Sequence, residues 1–164
     1  MSFLDSAQDP KRTQRRPLYG FLILTLGVGA VASLITTPAI PTWYAALNKP
    51  YFTPPNWLFA PVWTTLYILM AFAAWRVWKK TGLKSPEMAA FAVQLALNFL
   101  WSVLFFGLHR IGAATIEIAV LDVAILVTLL LFLRRDRLAG LLFLPYLAWT
   151  LFATALVRDF WRLN

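Results

Sequence analysis

A chain of 164 residues that is 60% hydrophobic and 13% charged, with a mean hydropathy of +0.68, carries far more apolar surface than one soluble core of this length can bury, so its main solvent is lipid. Its charge is unbalanced, 15 Lys and Arg against 7 Asp and Glu, and in a lipid-solvated chain that excess reports topology instead of nucleic-acid binding. The absence of cysteine excludes disulfides, thiolate nucleophiles and Cys-based metal sites.

Residues 1–17 read as a basic N-terminal tail without regular structure, and 18–164 as one all-α domain, a bundle of five transmembrane helices. A lipid-crossing helix needs about 20 mainly apolar residues. Five stretches meet that length: 18–37, 57–78, 86–108, 111–133 and 138–160. The first comes after basic residues, as a secretory signal would, but it exceeds the roughly 7–15 residues of a signal core and no small-x-small site closes it. It is therefore read as a mature helix. Pro86 suits the opening position of span three. Connections of a few residues after spans two, three and four force antiparallel neighbours and leave no room for a second domain.

Lys and Arg concentrate on the cytoplasmic side of membrane proteins. Lys11, Arg12, Arg15 and Arg16, then Arg76, Lys79, Lys80 and Lys84, then Arg134, Arg135 and Arg137 fall on one side, eleven in all; Lys49, Arg110, Arg158 and Arg162, four, fall on the other. The N-terminus is expected in the cytoplasm and the C-terminus across the membrane. An all-helical bundle with this bias fits a bacterial inner membrane.

Between spans one and two, residues 43–63 crowd three tryptophans, two tyrosines, two phenylalanines and four prolines into 21 positions. Half of the ten prolines, Pro38, Pro41, Pro50, Pro54 and Pro55, lie within 38–56, so this connection is expected to be stiff and not a continuous helix. Aromatic residues here suit the headgroup belt of any membrane protein. They also suit a lid, and the two roles are compatible.

Three stripes favour the lid. Trp63 and Tyr67 share a face of span two above Ala71 and Ala74. Gln94, Asn98, Trp101 and Phe105 line one face of span three, which should turn inward because amides facing lipid are costly. Tyr146, Trp149 and Ala153 share a face of span five just after Pro145, where a kink is expected. Amides and small residues also serve as interhelical glue. The convergence of aromatic walls, a few amides and a stiff cover nevertheless matches an apolar pocket for a flat hydrophobic ligand.

The blocks "WYAALNKPYFTPP", "PVWTTLY", "QLALNFLWSVLFFG" and "LPYLAW" with "FATAL" and "WRLN", in this order and spacing over about 18–164, resemble the translocator protein family, also called the tryptophan-rich sensory or peripheral benzodiazepine receptor family. The resemblance implies a five-helix bundle, often a homodimer, with a ligand cavity closed by the first loop. It implies porphyrins such as protoporphyrin IX, haem and synthetic lipophiles as ligands, with no required cofactor, and light-dependent degradation of protoporphyrin IX in some bacterial members. Carried over, Trp43 belongs to the lid, and Trp63, Asn98, Trp101, Trp149 and Ala153 to the cavity; helical phase adds Tyr67 and Phe105. Leu156, Phe160 and Arg162 stand where animal members carry a tyrosine-containing sterol motif, which argues against cholesterol. Val157 and Ala113 replace a family Asn and Trp, so the pocket floor is expected to differ in shape.

Hydrolytic or metal chemistry finds little support. His109, the single histidine, is the one candidate haem ligand, and a lone histidine beside Arg110 at a helix end is ordinarily solvated. Glu117 and Asp122 do not share a helix face and read as a bundle-facing acid and a helix contact. If porphyrin is degraded, Trp63 and Trp149 are the candidate redox partners. Two principal readings stay open, a porphyrin-binding receptor or sensor and a transporter of porphyrin or another lipophile; a purely structural scaffold is the third.

Overall fold

The computed structural model describes residues 10–164. Helix α1 (Pro10–Ala39) passes without a break into a π-helical turn, Ile40–Tyr44. After an extended stretch, a 3-10 turn at Asn56–Leu58 opens α2 (Phe59–Thr81), and α3 (Pro86–Ser102) continues through a second π-turn, Val103–Gly107. The chain ends with α4 (Ile111–Arg135), a short α5 (Arg137–Leu141) and α6 (Leu144–Leu163). Five helical segments are long and apolar enough to cross a membrane, and the protein is an all-α integral membrane bundle.

Its surface is inverted relative to a soluble fold, as lipid solvation requires. Ile23, Leu34, Ile116 and Val123 are more than half exposed, whereas Thr25, Gln94, Asn98, Thr128 and Thr150 are buried. Threonine and serine hydroxyls on the spans donate back to carbonyls of the preceding turn, as Thr36 does to Ala32 and Thr128 to Ala124, so their polar atoms are satisfied in lipid.

Helix α1 lies along α2, where the Thr25 hydroxyl donates to the Tyr67 carbonyl at 3.0 Å and Phe21 meets Trp78 edge-on. On its other flank α1 touches α3; α3 packs along α4, and α4 along α6. The ring closes through α5 against α2. Between α2 and the body of α6 the seam is loose, and toward the end away from α5 it widens into a cavity.

The junctions reflect local chemistry. Gly82 ends α2 at a φ of +74°, a backbone region open to glycine. Ser85 caps α3, its Oγ accepting from the Met88 N–H at 3.3 Å, with Pro86 at the first helical position. Asp136 caps α5 by accepting from the Ala139 N–H at 2.9 Å, and Arg76 and Lys80 of α2 both close on its carboxylate at 2.9 Å. The Arg76 hydrogen bonds hold the Asp136 carboxyl well below the usual carboxylate range. Nearby, the Arg135 guanidinium donates to Glu87 at 2.6 Å. The basic end of the bundle is therefore cross-tied.

Three expectations are revised by the structure. The tail was expected to be irregular up to residue 17, yet α1 starts at Pro10 and carries Pro17 inside it; residues 1–9 lie outside the described part. The connection 38–56 was expected to be stiff and not a continuous helix; the helix does end within it, but only beyond Pro38 and Pro41, which sit in helical turns. Neither has an N–H to donate, and the wide π-turn takes up the misfit while the Thr42 hydroxyl donates to the Pro38 carbonyl at 2.9 Å. Only from about Leu47 does the lid become non-helical. The expected kink at Pro145 is a full break: α5 stops at Leu141, and Pro145 opens α6.

Candidate functional site: an aromatic cavity under the first connection

A cavity of about 210 Å³ lies between α1, α2, α3 and α6. Trp63, Tyr67, Asn98, Trp101, Phe105, Trp149 and Ala153, singled out from three different spans, all line it. Helical phase explains this convergence. Trp63 and Tyr67 are one turn apart on α2, their rings 5.7 Å apart; Trp101 and Phe105 are one turn apart at the end of α3, stacked at 5.2 Å and 10°. Trp149 projects from α6 with Phe59 edge-on against it at 6.0 Å.

Polar groups in the wall are few. The Tyr67 hydroxyl donates to Asn98 Oδ1 at 2.6 Å, so this donor is already used. Two cavity-lining donors have no partner among the described residues, the Trp101 indole N–H and the Tyr44 hydroxyl. An occupant that accepts one or two hydrogen bonds from an otherwise apolar wall would satisfy them.

Trp43 lies on the lid, and His109 just beyond the second π-turn. Neither lines the cavity; Trp43 stacks on His109 at 4.3 Å and 14° and meets Phe105 edge-on at 5.3 Å. His109 is the one non-glycine residue with a positive φ among the described residues, +56°, and this left-handed turn after the second π-turn sets its ring over Trp43 and outside the cavity. Tyr44, which sequence reasoning missed, takes the inward position on the lid and packs against Phe105 and Phe160.

The lid is fastened at its far end. The Asn48 N–H donates to Asn164 Oδ1 at 3.0 Å, the Asn164 amide returns a bond to the Asn48 carbonyl at 3.1 Å, and the Asn48 amide donates to the Leu163 carbonyl at 3.2 Å. Lys49 donates to the Ala45 carbonyl at 3.0 Å and closes the helical part. Tyr51 and Trp57, both strongly exposed, extend outward where aromatic residues favour a membrane interface.

Helix α1 supplies a wall that the aromatic stripes did not reveal: Gly29, Ala32, Ser33 and Thr36, a run of small residues at helical spacing, continued by Ile40 of the π-turn. Periodicity of small side chains was the available signal. At Gly29 an added Cβ would meet the Tyr67 ring at 2.5 Å. Gly29→Ala is therefore expected to push Tyr67 from Asn98, shrink the cavity and weaken ligand binding while the bundle still folds; unchanged affinity in an equilibrium titration would contradict this close fit.

The family profile of the TspO/MBR family matches residues 21–162. The chain belongs to this family. Among its relatives are the tryptophan-rich protein TspO of Archaeoglobus fulgidus, 42% identical over 90% of this chain and 96% of that protein, and the tryptophan-rich sensory protein of Cereibacter sphaeroides, 40% identical over 88% and 90%. The human translocator protein is 37% identical over 74% of this chain and 75% of its own length. The matched region includes every side chain of the cavity wall, and the TspO/MBR assignment supports a membrane sensor or translocator role.

Proposed function

We propose that this TspO/MBR protein is a membrane receptor that binds a porphyrin, protoporphyrin IX or haem, in the aromatic cavity. The observation that carries the proposal is the wall itself: Trp63, Trp101, Phe105 and Trp149 offer flat ring surfaces, and the Trp101 N–H and the Tyr44 hydroxyl are unpartnered donors within it. A planar, largely apolar molecule with acceptor groups at its rim is complementary to that arrangement. The cavity is below the roughly 300–1,000 Å³ of typical small-molecule pockets, so a tetrapyrrole enters with the lid raised. Releasing the Asn48–Asn164 clamp is the natural way to raise it.

The family likeness supports light-dependent porphyrin degradation as a secondary activity, with Trp63 and Trp149 as electron donors. It also supports a homodimer, and the Lys and Arg bias supports a bacterial inner membrane with the cross-tied basic end in the cytoplasm. Sterol is disfavoured as a ligand by Leu156, Phe160 and Arg162 in place of the tyrosine-containing motif. The competing reading is a transporter. It gains from the loose seam between α2 and α6, where Trp149 belongs both to the cavity and to a groove on the bundle surface lined by Trp57, Pro61 and Leu69. Dark binding tracked by the porphyrin absorbance band, in the wild type and Trp149→Ala, tests the receptor reading; affinity unaffected by the substitution would refute it. Porphyrin flux into sealed vesicles, faster with protein than without, would favour the transporter.

A further inference from the structure

We propose that Glu117 and Asp122 form a proton-binding site within the membrane, outside the wall of the cavity and joined to it through Tyr146. Both acids belong to α4 and both are more than nine-tenths buried. At five residues apart they diverge around the helix, yet both are covered because α4 has α3 on one flank and α6 on the other. Asp122 faces α6, where the Thr154 hydroxyl donates to its Oδ2 at 2.6 Å. That hydroxyl is also within 3.0 Å of the Thr150 carbonyl, so its single proton is shared. Asp122 Oδ1 and both carboxylate oxygens of Glu117 have no hydrogen-bond partner among the described residues.

None of the ion pairs among the described residues involves either acid. The one side chain bonded to either acid, Thr154, is neutral, and so are Tyr146 of α6, Asn98 of α3 and Tyr67 of α2, which share an electrostatic environment with the pair. Tyr146 is wholly buried and its hydroxyl is itself unpartnered. Gln94, one turn before Asn98 on α3, is fully buried with both amide atoms unpartnered as well.

An ionised carboxylate only accepts hydrogen bonds, and two of them in apolar surroundings repel each other. One proton relieves both problems. It removes one of the two charges and gives the protonated acid an O–H of its own to donate. No group of three or more His, Cys, Asp and Glu able to hold a metal ion occurs among the described residues, which favours a proton over a metal cation as the neutralising charge.

The surroundings of the site reach the cavity wall at two points. Tyr146 meets Trp63 edge-on at 6.1 Å, and Trp63 is a cavity wall. Thr154, bonded to Asp122, is the next residue after Ala153 in the other wall. A change in proton load is thereby felt by the residues that meet a guest, whatever that guest is. The proton site does not depend on the porphyrin reading.

Infrared spectroscopy of the purified ligand-free protein at neutral pH, in water and in heavy water, tests it. The expected result is the carbonyl stretch of a protonated carboxyl, moved by deuteration, lost in Glu117→Gln or in Asp122→Asn, displaced in Tyr146→Phe and unchanged in Tyr51→Phe. Glu117→Gln is isosteric with the protonated acid, and an unchanged thermal midpoint verifies its fold; should it fail to fold, the displaced band in Tyr146→Phe carries the test. No such band in the wild type, a band retained unaltered in the Glu117, Asp122 and Tyr146 variants, or a band that sodium ions abolish would overturn the proposal. Porphyrin binding that fails while the band behaves as expected would refute the receptor reading alone.

Discussion

Asp136→Ala loses about 2–4 kcal/mol of stability, the combined scale of a charge-assisted hydrogen bond and a helix cap. The reason is how much this one carboxylate joins. It caps α5, and it binds Arg76 in two places, Nε at 3.0 Å and Nη2 at 2.9 Å, and Lys80 at 2.9 Å. Its own side chain is buried while those of Arg76 and Lys80 are a third and a half exposed. Water can therefore rehydrate the two cations after the substitution, which keeps the loss below that of breaking a fully buried pair. Thermal unfolding in detergent measures the difference. Asp136→Asn, which retains an amide oxygen for the cap, is expected to lose less.

The same group sets an acid limit on the fold. Its carboxyl is held well below the usual range, first of all by the Arg76 hydrogen bond, so its contribution is complete above the unfolded-state value of about 3.9. The contribution is lost as the pH falls from there through the lowered native value. The wild type should weaken on acidification below about pH 4, and Asp136→Asn should lack that component. An identical acid profile in both proteins would show that the corner is not held by this carboxylate.

On the proposed function, Trp63→Phe combined with Trp149→Phe is expected to abolish light-driven loss of protoporphyrin IX and to leave dark binding largely in place. On the proposed route, an excited porphyrin takes one electron from an indole; the tryptophan is oxidised and the porphyrin reduced by that electron. Phenylalanine retains a flat apolar face but is a far poorer electron donor. Packing around both positions is aromatic, with Tyr67 and Tyr146 beside Trp63 and Phe59 and Phe152 beside Trp149, so the cavity should tolerate the smaller rings. Bleaching under constant illumination, measured at equal bound porphyrin, gives the answer. Unchanged bleaching in the double variant would remove these two residues from the photochemistry.

Hydropathy made the five spans legible, because each must shield its backbone from lipid over a full membrane thickness. The inward stripe on α3 was legible for a related reason: Gln94 and Asn98 cannot face lipid cheaply, and the residues in phase with them had to turn inward too. The lid was less so. An expectation based on 3.6 residues per turn fails at Ile40–Tyr44, where a π-turn inserts extra backbone and rotates the next residues by roughly one position of helical phase. Tyr44 is thereby turned toward Phe160, while Trp43 stacks on His109. Proline content alone suggested a broken chain, and it does not reveal that a wider helical turn can absorb Pro41. The shared burial of Glu117 and Asp122 was hidden for another reason. Their divergence on α4 argues against a common face, yet both fall at the edges of the one broad stripe, from Ala114 to Phe132, that α4 buries against α3 and α6.

On the proposed function, the cavity between α1, α2, α3 and α6 holds a flat tetrapyrrole against its tryptophans. Titration of intrinsic tryptophan fluorescence with protoporphyrin IX in the dark, for the wild type and a Trp101→Ala, Trp149→Ala double variant, tests it most directly. The expected result is saturable quenching in the wild type that the variant loses, although six tryptophans remain to report binding elsewhere. Quenching that never saturates, or that saturates equally in the variant, would contradict a tetrapyrrole site in this cavity.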